Sequence, residues 1–556
     1  MRAQGTENAI EKMLRVALGC LLAAMTLLLV CANLFAYTAH MDADIGGEAL
    51  LARAIAQNGL RTPATWMAST ERRVLSAPNL GVLFVRLTGD MNLSMGIACS
   101  LFLLALLAML WRYSRIAGFG RPAAAAALLL VLCASWHIHD YLEMFALYAC
   151  YYGGHLIVLF WLMGLYEKRL QNKHGKALLA EEALGLPIAY GMGRQGMRIL
   201  LLAYVPLLLT ELLRLALRVV LRGREKKRDE ASNEAGAPLA RRAEEKTGQT
   251  PLSELIPLAW FLAYTGIAYG TAKRDAAFGA ALSRNLRGGP AKLGNTVLPQ
   301  MVRLFTDTPA IAAAALVLTA LALAGFVAAA RAGCKEKDTA FSPRSVWALP
   351  VALLVSLAAG AFTTVESAPR YYLPAGFVLA FGVGLLWEGY HRQAARAKAT
   401  GRNRRALAAF VVTFGLVTLL RQGAVLFSPP GELSREEEDV VAYLMEHTAA
   451  ADAKKALRYG YATFDYANVL AARSGGALTV GAVDMATLRG VHWLTDAAWY
   501  PPLAEADHPS YIVTTPATKE KAEKTFAAKG LERPSEIQLG RFTVFFFDTN
   551  PILWEE

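Results

Sequence analysis

Charge is scarce in this chain. Only 18% of its 556 residues are Asp, Glu, Lys or Arg, against about 25% in an ordinary soluble domain, and the mean hydropathy of +0.32 is positive. A free-standing cytosolic enzyme is excluded. Cysteine is scarce too: of six, Cys20, Cys31, Cys99, Cys133 and Cys150 sit inside apolar runs, where they read as small hydrophobes. None falls in the loop 37–92 or in the tail beyond residue 428, so no disulfide framework is expected there. The phosphate loop G-x-x-x-x-G-K-[ST], H-E-x-x-H and C-x-x-C are all missing, which disfavours a nucleotide-sugar donor or an ATP-driven pump. No repeat of fixed period stands out, which argues against transporters built from internal repeats. The net charge of +12 comes from short basic stretches beside apolar runs rather than from a basic stripe interleaved with aromatics, so nucleic acid is not an expected partner.

What is present instead is apolar length. Ten runs of 15 to 24 residues occur at 13–36, 93–110, 122–136, 144–165, 199–221, 255–269, 310–330, 346–362, 372–386 and 406–427, close to the ~20 residues that a membrane-crossing helix needs. A weaker eleventh, 177–193, carries Glu181 and Glu182. The reading is an α-helical polytopic membrane protein of about 9–11 spans with a small C-terminal α/β domain outside the membrane. The first run, preceded by Lys12 and Arg15, is read as a retained anchor rather than a signal peptide. Arg112, Arg115 and Arg121 mark one cytoplasmic turn, Arg331, Lys335, Lys337 and Arg344 a second, and Arg392, Arg396, Lys398, Arg402, Arg404 and Arg405 a third. That places the N-terminus inside, and the loop 37–92 and the tail outside the cytoplasmic membrane. Such a chain needs an odd number of crossings, and the conflict with ten falls between residues 167 and 221.

The domain boundary is read at 427/428, dividing a membrane domain, 1–427, from a soluble domain, 428–556. The mixed-charge stretch 222–250 has no apolar period and reads as a disordered cytoplasmic loop. In the tail, a polar helix is expected at 434–447 with Val440, Val441 and Leu444 on one face, strands at 477–483, 511–514 and 542–547, and a helix at 518–529.

Ionisable residues gather in three turns. The first reads M-D-A-D-I-G-G-E and places Asp42, Asp44 and Glu48 within seven residues, just past the first run. In a helix over 45–57, Ile45, Ala49, Ala52 and Ala56 line one side, while Asp44 and Glu48 share a face one turn apart. Carboxylates at a membrane boundary suit a general base or a metal ligand; the alternative is that they cap and solubilise an interfacial helix. The same loop carries E-R-R-V-L at 71–75. Arg72 and Arg73 suit phosphate, whose oxygens a guanidinium meets in bidentate fashion, or anchor at lipid headgroups.

The second turn, S-W-H-I-H-D-Y-L-E at 135–143, packs His137, His139, Asp140 and Glu143 together. Imidazole favours Zn²⁺ and carboxylate favours Mg²⁺ or Mn²⁺; the alternative is a polar interface turn with Trp136 and Tyr141 as belt aromatics. The third, V-E-S-A-P-R-Y-Y-L-P at 365–374, presents Glu366, Arg370 and Tyr371 between two spans, with Pro369 and Pro374 stiffening the turn. Glu211 and Arg214, three apart within a span, are expected to form an internal ion pair. In the tail, Y-G-Y-A-T-F at 459–464, Trp493, Trp499 and Tyr500 supply either core packing or platforms for sugar rings.

These turns resemble the GT-C superfamily of polytopic glycosyltransferases, which includes the protein mannosyltransferases, the lipid A aminoarabinose transferases and the oligosaccharyltransferases. Many members carry an Asp-Glu pair just after the first span, then an interfacial helix with an Arg and a closing Gly; Asp44, Arg53 and Gly59 follow that spacing. Ile45 departs from the pattern by occupying the usual Glu position, which leaves Asp42 or Glu48 to supply the second charge. The R-Y-x-x-P element at 370–374 is similar to one found at a late span of the superfamily. The resemblance implies that Asp44 is the catalytic carboxylate, with Asp42 and Asp140 beside it. It further implies that Asp44 and Asp140 are ligands of any divalent cation, Mg²⁺ or Mn²⁺. Arg370 would meet the phosphate of a polyprenyl-linked donor, and Glu48, Arg53, Arg72, Arg73, Glu366 and Tyr371 would contact substrate.

The expected function is a bacterial cell-envelope glycosyltransferase. It would move a sugar from a polyprenyl-phosphate donor to a glycan, lipid or protein acceptor at the outer face of the membrane. The alternatives are a polysaccharide or lipid-linked sugar transporter or flippase, and a membrane assembly or sensor protein that binds through its tail.

Overall fold

The first apolar run forms one helix, Arg2–Phe35, with residues 12–35 long and apolar enough to cross a bilayer. The computed structural model describes residues 2–69, 71–171, 173, 175–234, 251–274, 289–306, 308–334, 343–363, 367–397, 402–448, 457, 459–500 and 508–552. Among these, seven more helices meet the same length and apolarity: Met91–Ile116, Leu200–Val220, Glu254–Lys273, Pro309–Ala332, Arg344–Phe362, Pro369–Arg392 and Arg402–Leu426. The protein is a multi-pass membrane protein with a small strand-containing C-terminal region.

Three sequence expectations need correction. The run at 122–136 yields only a 13-residue helix, Arg121–Cys133. The run at 144–165 is helical only from Gly153 onwards, because Tyr148 (φ 51°) and Cys150 (φ 48°) adopt left-handed backbone that no α-helix accommodates. The helix Val205–Glu234 continues through 222–234, where a disordered loop was expected; the run R-E-K-K-R-D-E is rich in helix formers of both charges. Residues 235–250 lie outside the described residues, as do Lys335, Lys337, Glu366 and Lys398.

The chain divides into two compact units, 1–23, 105–142 and 154–418 in the first, and 24–104, 143–153 and 419–556 in the second. In the first, the helix Pro309–Cys334 packs on Pro374–Ala397. Gly325 and Gly382 make the close approach possible, since a Cβ on Gly325 would lie 1.9 Å from the Gly382 carbonyl oxygen. Its buried acids have donors at hand. Glu211 takes Arg214 at 2.5 Å and the Tyr166 hydroxyl at 2.6 Å, the ion pair expected from sequence. Glu167 accepts from the Ser345 amide and hydroxyl at 3.0 and 2.5 Å. The helix Lys176–Gln195, the weak eleventh run, tolerates its acids because Glu181 meets Lys168 and Arg112 and Glu182 meets Arg169.

In the second unit the tail builds a six-stranded sheet of order β4-β3-β2-β6-β8-β7 from β2 (Tyr459–Ala462), β3 (Val480–Asp484), β4 (Arg489–Gly490), β6 (Ser510–Thr514), β7 (Ser535–Leu539) and β8 (Phe542–Phe547). Strand β2 runs parallel to β3 and β6, and β8 pairs antiparallel with β6 and β7. The tail helices are Glu432–Thr448, Phe464–Arg473 and Pro516–Ala528. Val440, Val441 and Leu444 are buried as expected, while Tyr461 and Tyr500 belong to the core beneath the sheet with Ile512, Phe526 and Phe545. Half of the described tail aromatics, Trp493 and Trp499 among them, keep exposed surface.

The loop after the first span is part of the same unit. Its helix Ala43–Gln57 packs on Phe464–Arg473 and on Ala77–Thr88, and its strand β1 (Trp66–Met67) pairs with β5 (Thr495–Asp496) of the tail. Buried Asn468 donates to the carbonyls of Ala43 and Leu494 at 3.2 and 3.1 Å. Gly46 is what lets the two helices close, because a Cβ there would lie 2.7 Å from the Asn468 carbonyl oxygen.

Candidate active site

The helix Ala43–Gln57 begins two residues before the expected start, because Asp42 caps it: its Oδ1 accepts from the Ile45 amide at 2.7 Å. Ile45, Ala49 and Ala52 face inward and are fully buried. Half-buried Asp44 therefore sits in the first turn, where the helix dipole favours negative charge. Glu48, one turn on, is 1% exposed.

Burying Glu48 requires a partner, and Arg73 is that partner. Its Nε donates to both Glu48 oxygens at 2.8 Å, and Nη2 closes the fork on Oε1. Arg73 also lies 3.9 Å from Glu71 and 5.8 Å from the centre of the Tyr151 ring. Burial alone would lower its pKa, but Glu48 and then Glu71 override that and raise it. Arg73 is therefore no headgroup anchor. Arg72, beside it, is exposed.

The second wall comes from 143–153, the stretch that sequence reading took for the start of a span. Asn33, buried in the first helix, fixes it by donating to the Ala146 carbonyl at 2.9 Å and accepting from the Tyr148 amide at 2.8 Å. The left-handed residues Tyr148 and Cys150 turn the chain so that Glu143 and Tyr151 enter the site. Carboxylate oxygens of Asp42 and Glu143 lie within 4.8 Å of each other. Tyr151 is half-buried, and its buried hydroxyl has no hydrogen-bond partner among the described residues. Its pKa is raised by burial and then by the negative charges of Asp42, Glu143, Asp44 and Glu48. Tyr37 is raised in the same way, by burial first, with Glu48, Asp42 and Glu143 contributing. The charges of four carboxylates, three of them in the opening turns of one helix, thus bear on one tyrosine. Non-glycine residues in left-handed backbone cluster at working sites of proteins, and here they shape the wall of this one.

The structure brings together Asp42, Asp44, Glu48 and Arg73 from the sequence-derived set. Arg53 lies at the far end of the same helix, where Nη1 donates to the Gly475 carbonyl at 2.5 Å. Asp140, Arg370 and Tyr371 belong to the first unit. Asp140 is half-buried in the turn Ile138–Leu142, with His139 exposed beside it. Arg370 is half-buried in the turn Pro369–Tyr372, with its guanidinium 5.9 Å from the Tyr371 ring centre. Glu366 lies outside the described residues. Tyr37, Glu71 and Tyr151 were not picked out from the sequence. Glu143 stands in the sequence only as one of four candidate cation ligands in the turn 135–143, and Tyr151 carries no signal because its surroundings pass for an apolar span.

No protein-family profile and no curated protein matches the sequence. Solved structures do. ArnT from Cupriavidus metallidurans in the apo state matches with a TM-score of 0.53 at 13% identity, over 95% of this chain and 97% of that one. The same ArnT bound to undecaprenyl phosphate matches with a TM-score of 0.53 at 12% identity over the same shares. The archaeal oligosaccharyltransferase AglB from Archaeoglobus fulgidus, in complex with an inhibitory peptide and a dolichol-phosphate, gives a TM-score of 0.45 at 13% identity, over 90% of this chain and 69% of that one. The chain has the fold of ArnT.

Proposed function

We propose that this chain is a glycosyltransferase that moves a sugar from a polyprenyl-phosphate donor to an acceptor at the outer face of the cytoplasmic membrane. One observation carries the reading: Asp42, Asp44 and Glu48 open the helix that follows the first membrane helix, and a Glu143 carboxylate oxygen lies within 4.8 Å of Asp42, in a chain with the fold of an enzyme whose structure holds undecaprenyl phosphate. The basic turns around Arg112, Arg331 and Arg392 support a reading with the N-terminus inside and the acidic site outside.

Asp44 takes the proton of the acceptor hydroxyl. The freed oxygen bonds to the sugar's anomeric carbon, the bond from that carbon to phosphate breaks, and the polyprenyl phosphate leaves with the electron pair, inverting the anomeric centre. Arg370, over Tyr371, neutralises the leaving phosphate. Asp42 holds the first turn in place, and Glu48 with Arg73 fixes the wall behind it. Asp42 and Glu143 are close enough to share a divalent cation such as Mg²⁺ or Mn²⁺, and Asp44 and Asp140 are the ligands that the family resemblance suggests. Such an ion, when bound, would supply charge neutralisation at phosphate oxygens.

The test is transfer by purified full-length protein supplied with candidate polyprenyl-phosphate sugars. Asp44→Asn is expected to lose about 10²- to 10⁴-fold in rate, and Arg370→Ala to lose activity mainly through the donor. Full transfer by both variants overturns the assignment.

A further inference from the structure

A second site lies at the other end of the helix Ala43–Gln57. There Arg53 and Gln57, with tail residues Gly476, Thr479, Asp496 and Trp499, border a cavity of 390 Å³, within the usual range of small-molecule sites, roughly 300–1,000 Å³. Along the helix axis Arg53 stands nine residues, about 14 Å, from Asp44, so whatever binds here is not the reacting group.

The lining is built rather than incidental. Arg53 is held against the turn at Gly475 and Gly476 by its bond to the Gly475 carbonyl. Gly476 has a φ of +75°, and a Cβ on it would lie 1.6 Å from the Arg53 Nη1 atom, so the guanidinium occupies the space that any other residue would fill. Asp496 is 7% exposed; it is fixed by strand β5, and its Oδ1 accepts from the Ala498 amide at 3.0 Å. Half-buried Trp499 is braced edge-on by Trp66, their ring centres 5.7 Å apart.

The chemistry of this lining selects a class of ligand. One guanidinium beside one carboxylate gives no net charge, which disfavours phosphate or any polyanion. Polar groups on opposite walls disfavour a lipid chain. A fixed carboxylate accepts hydroxyl protons, Arg53, Gln57 and Thr479 can serve hydroxyl oxygens, and an indole offers its face to the C–H side of a sugar ring. We infer that this cavity binds an uncharged glycan. On the transferase reading, which this last step rests on, it holds a distal part of the acceptor, so that binding energy gained away from the reacting hydroxyl positions that hydroxyl at Asp44.

The experiment uses full-length protein in detergent on an array of neutral and acidic oligosaccharides, followed by titration of the best neutral glycan. Capture of neutral glycans is expected, weakened at least tenfold by Trp499→Ala. Exposed Gln57→Ala should weaken it several-fold, and it keeps the test readable if the Trp499 variant fails to fold. No capture, capture of acidic glycans alone, or undiminished capture by both variants overturns the inference. Neutral-glycan capture by a protein that transfers no sugar upholds the cavity and rejects the transferase; transfer without capture does the reverse.

Discussion

The two units bury carboxylates in different ways. In the first, Glu211 meets Arg214 and Tyr166, Glu182 meets Arg169, and Glu388 takes the Gly120 amide at 2.9 Å and Arg392 at 3.1 Å. Each acid is neutralised by donors within its own helix or an adjacent element, which is how a membrane protein stabilises its architecture. In the second unit Asp42, Asp44, Glu48 and Glu143 gather around one tyrosine, and Arg73 is committed to Glu48. Like charges held together in a partly shielded place favour proton transfer or cation binding. Carboxylate burial by itself therefore separates nothing in this chain; the crowding of several acids near one group does.

That contrast can be broken experimentally. Asp44→Asn should give the largest effect, up to about 10⁴-fold in transfer, or about 5.5 kcal/mol of barrier, with thermal stability unchanged; a comparable loss of stability would make Asp44 structural like Glu211. Arg73→Met leaves Glu48 buried without its partner and should destabilise by about 3–5 kcal/mol, read from the denaturation midpoint of the second unit, and Glu48→Gln in the same chain should recover part of it. Glu211→Gln in the first unit should cost about 1.5–3 kcal/mol of stability and leave the rate per folded molecule untouched. If it lowers the rate as Asp44→Asn does, the contrast fails.

Gly46→Ala sets a Cβ against the Asn468 carbonyl and should destabilise the packing of the first loop on the tail by about 1–3 kcal/mol, visible as faster proteolysis of the tail. The smallest effect is at Asp484, whose pKa is lowered by the Ala486 amide first and by Lys521 after it. A carboxylate depressed in the folded state stabilises above its ordinary pKa near 4, and loses that contribution as pH falls through the lowered value. Since its side chain is 47% exposed, Asp484→Asn should change stability at neutral pH by no more than about 0.5 kcal/mol, and not at all well below pH 3.

Much of this was readable from residue order alone. Apolar length marked the membrane helices, short runs of β-forming residues marked β3, β6 and β8, and the spacing of Asp42, Asp44 and Glu48 marked the candidate site. Strand β7 escaped because its alternation, Ser535 to Leu539, lies on an exposed edge with little apolar content. The wall carrying Glu143 and Tyr151 escaped because composition cannot distinguish an apolar helix from an apolar loop; Asn33, lodged in the first helix, supplies the bonds that make it a loop. The Arg73–Glu48 pair escaped because residues 25 apart meet only after the rest of the helix Ala43–Gln57 and strand β1 have set the path between them.

The contact between Asn468 and the Ala43 carbonyl spans 425 residues of chain. At roughly 5–20 residues per second, the loop bearing the acids leaves the ribosome about 20–85 s before the tail that packs against it. During that interval Gly46 and Gly47 face solvent or translocation machinery instead of Asn468 and Leu494. A chain cut short of residue 468 would insert its first spans and still present the helix Ala43–Gln57 without its backing. Competence then arrives late in synthesis, and truncated products would be inserted but inert.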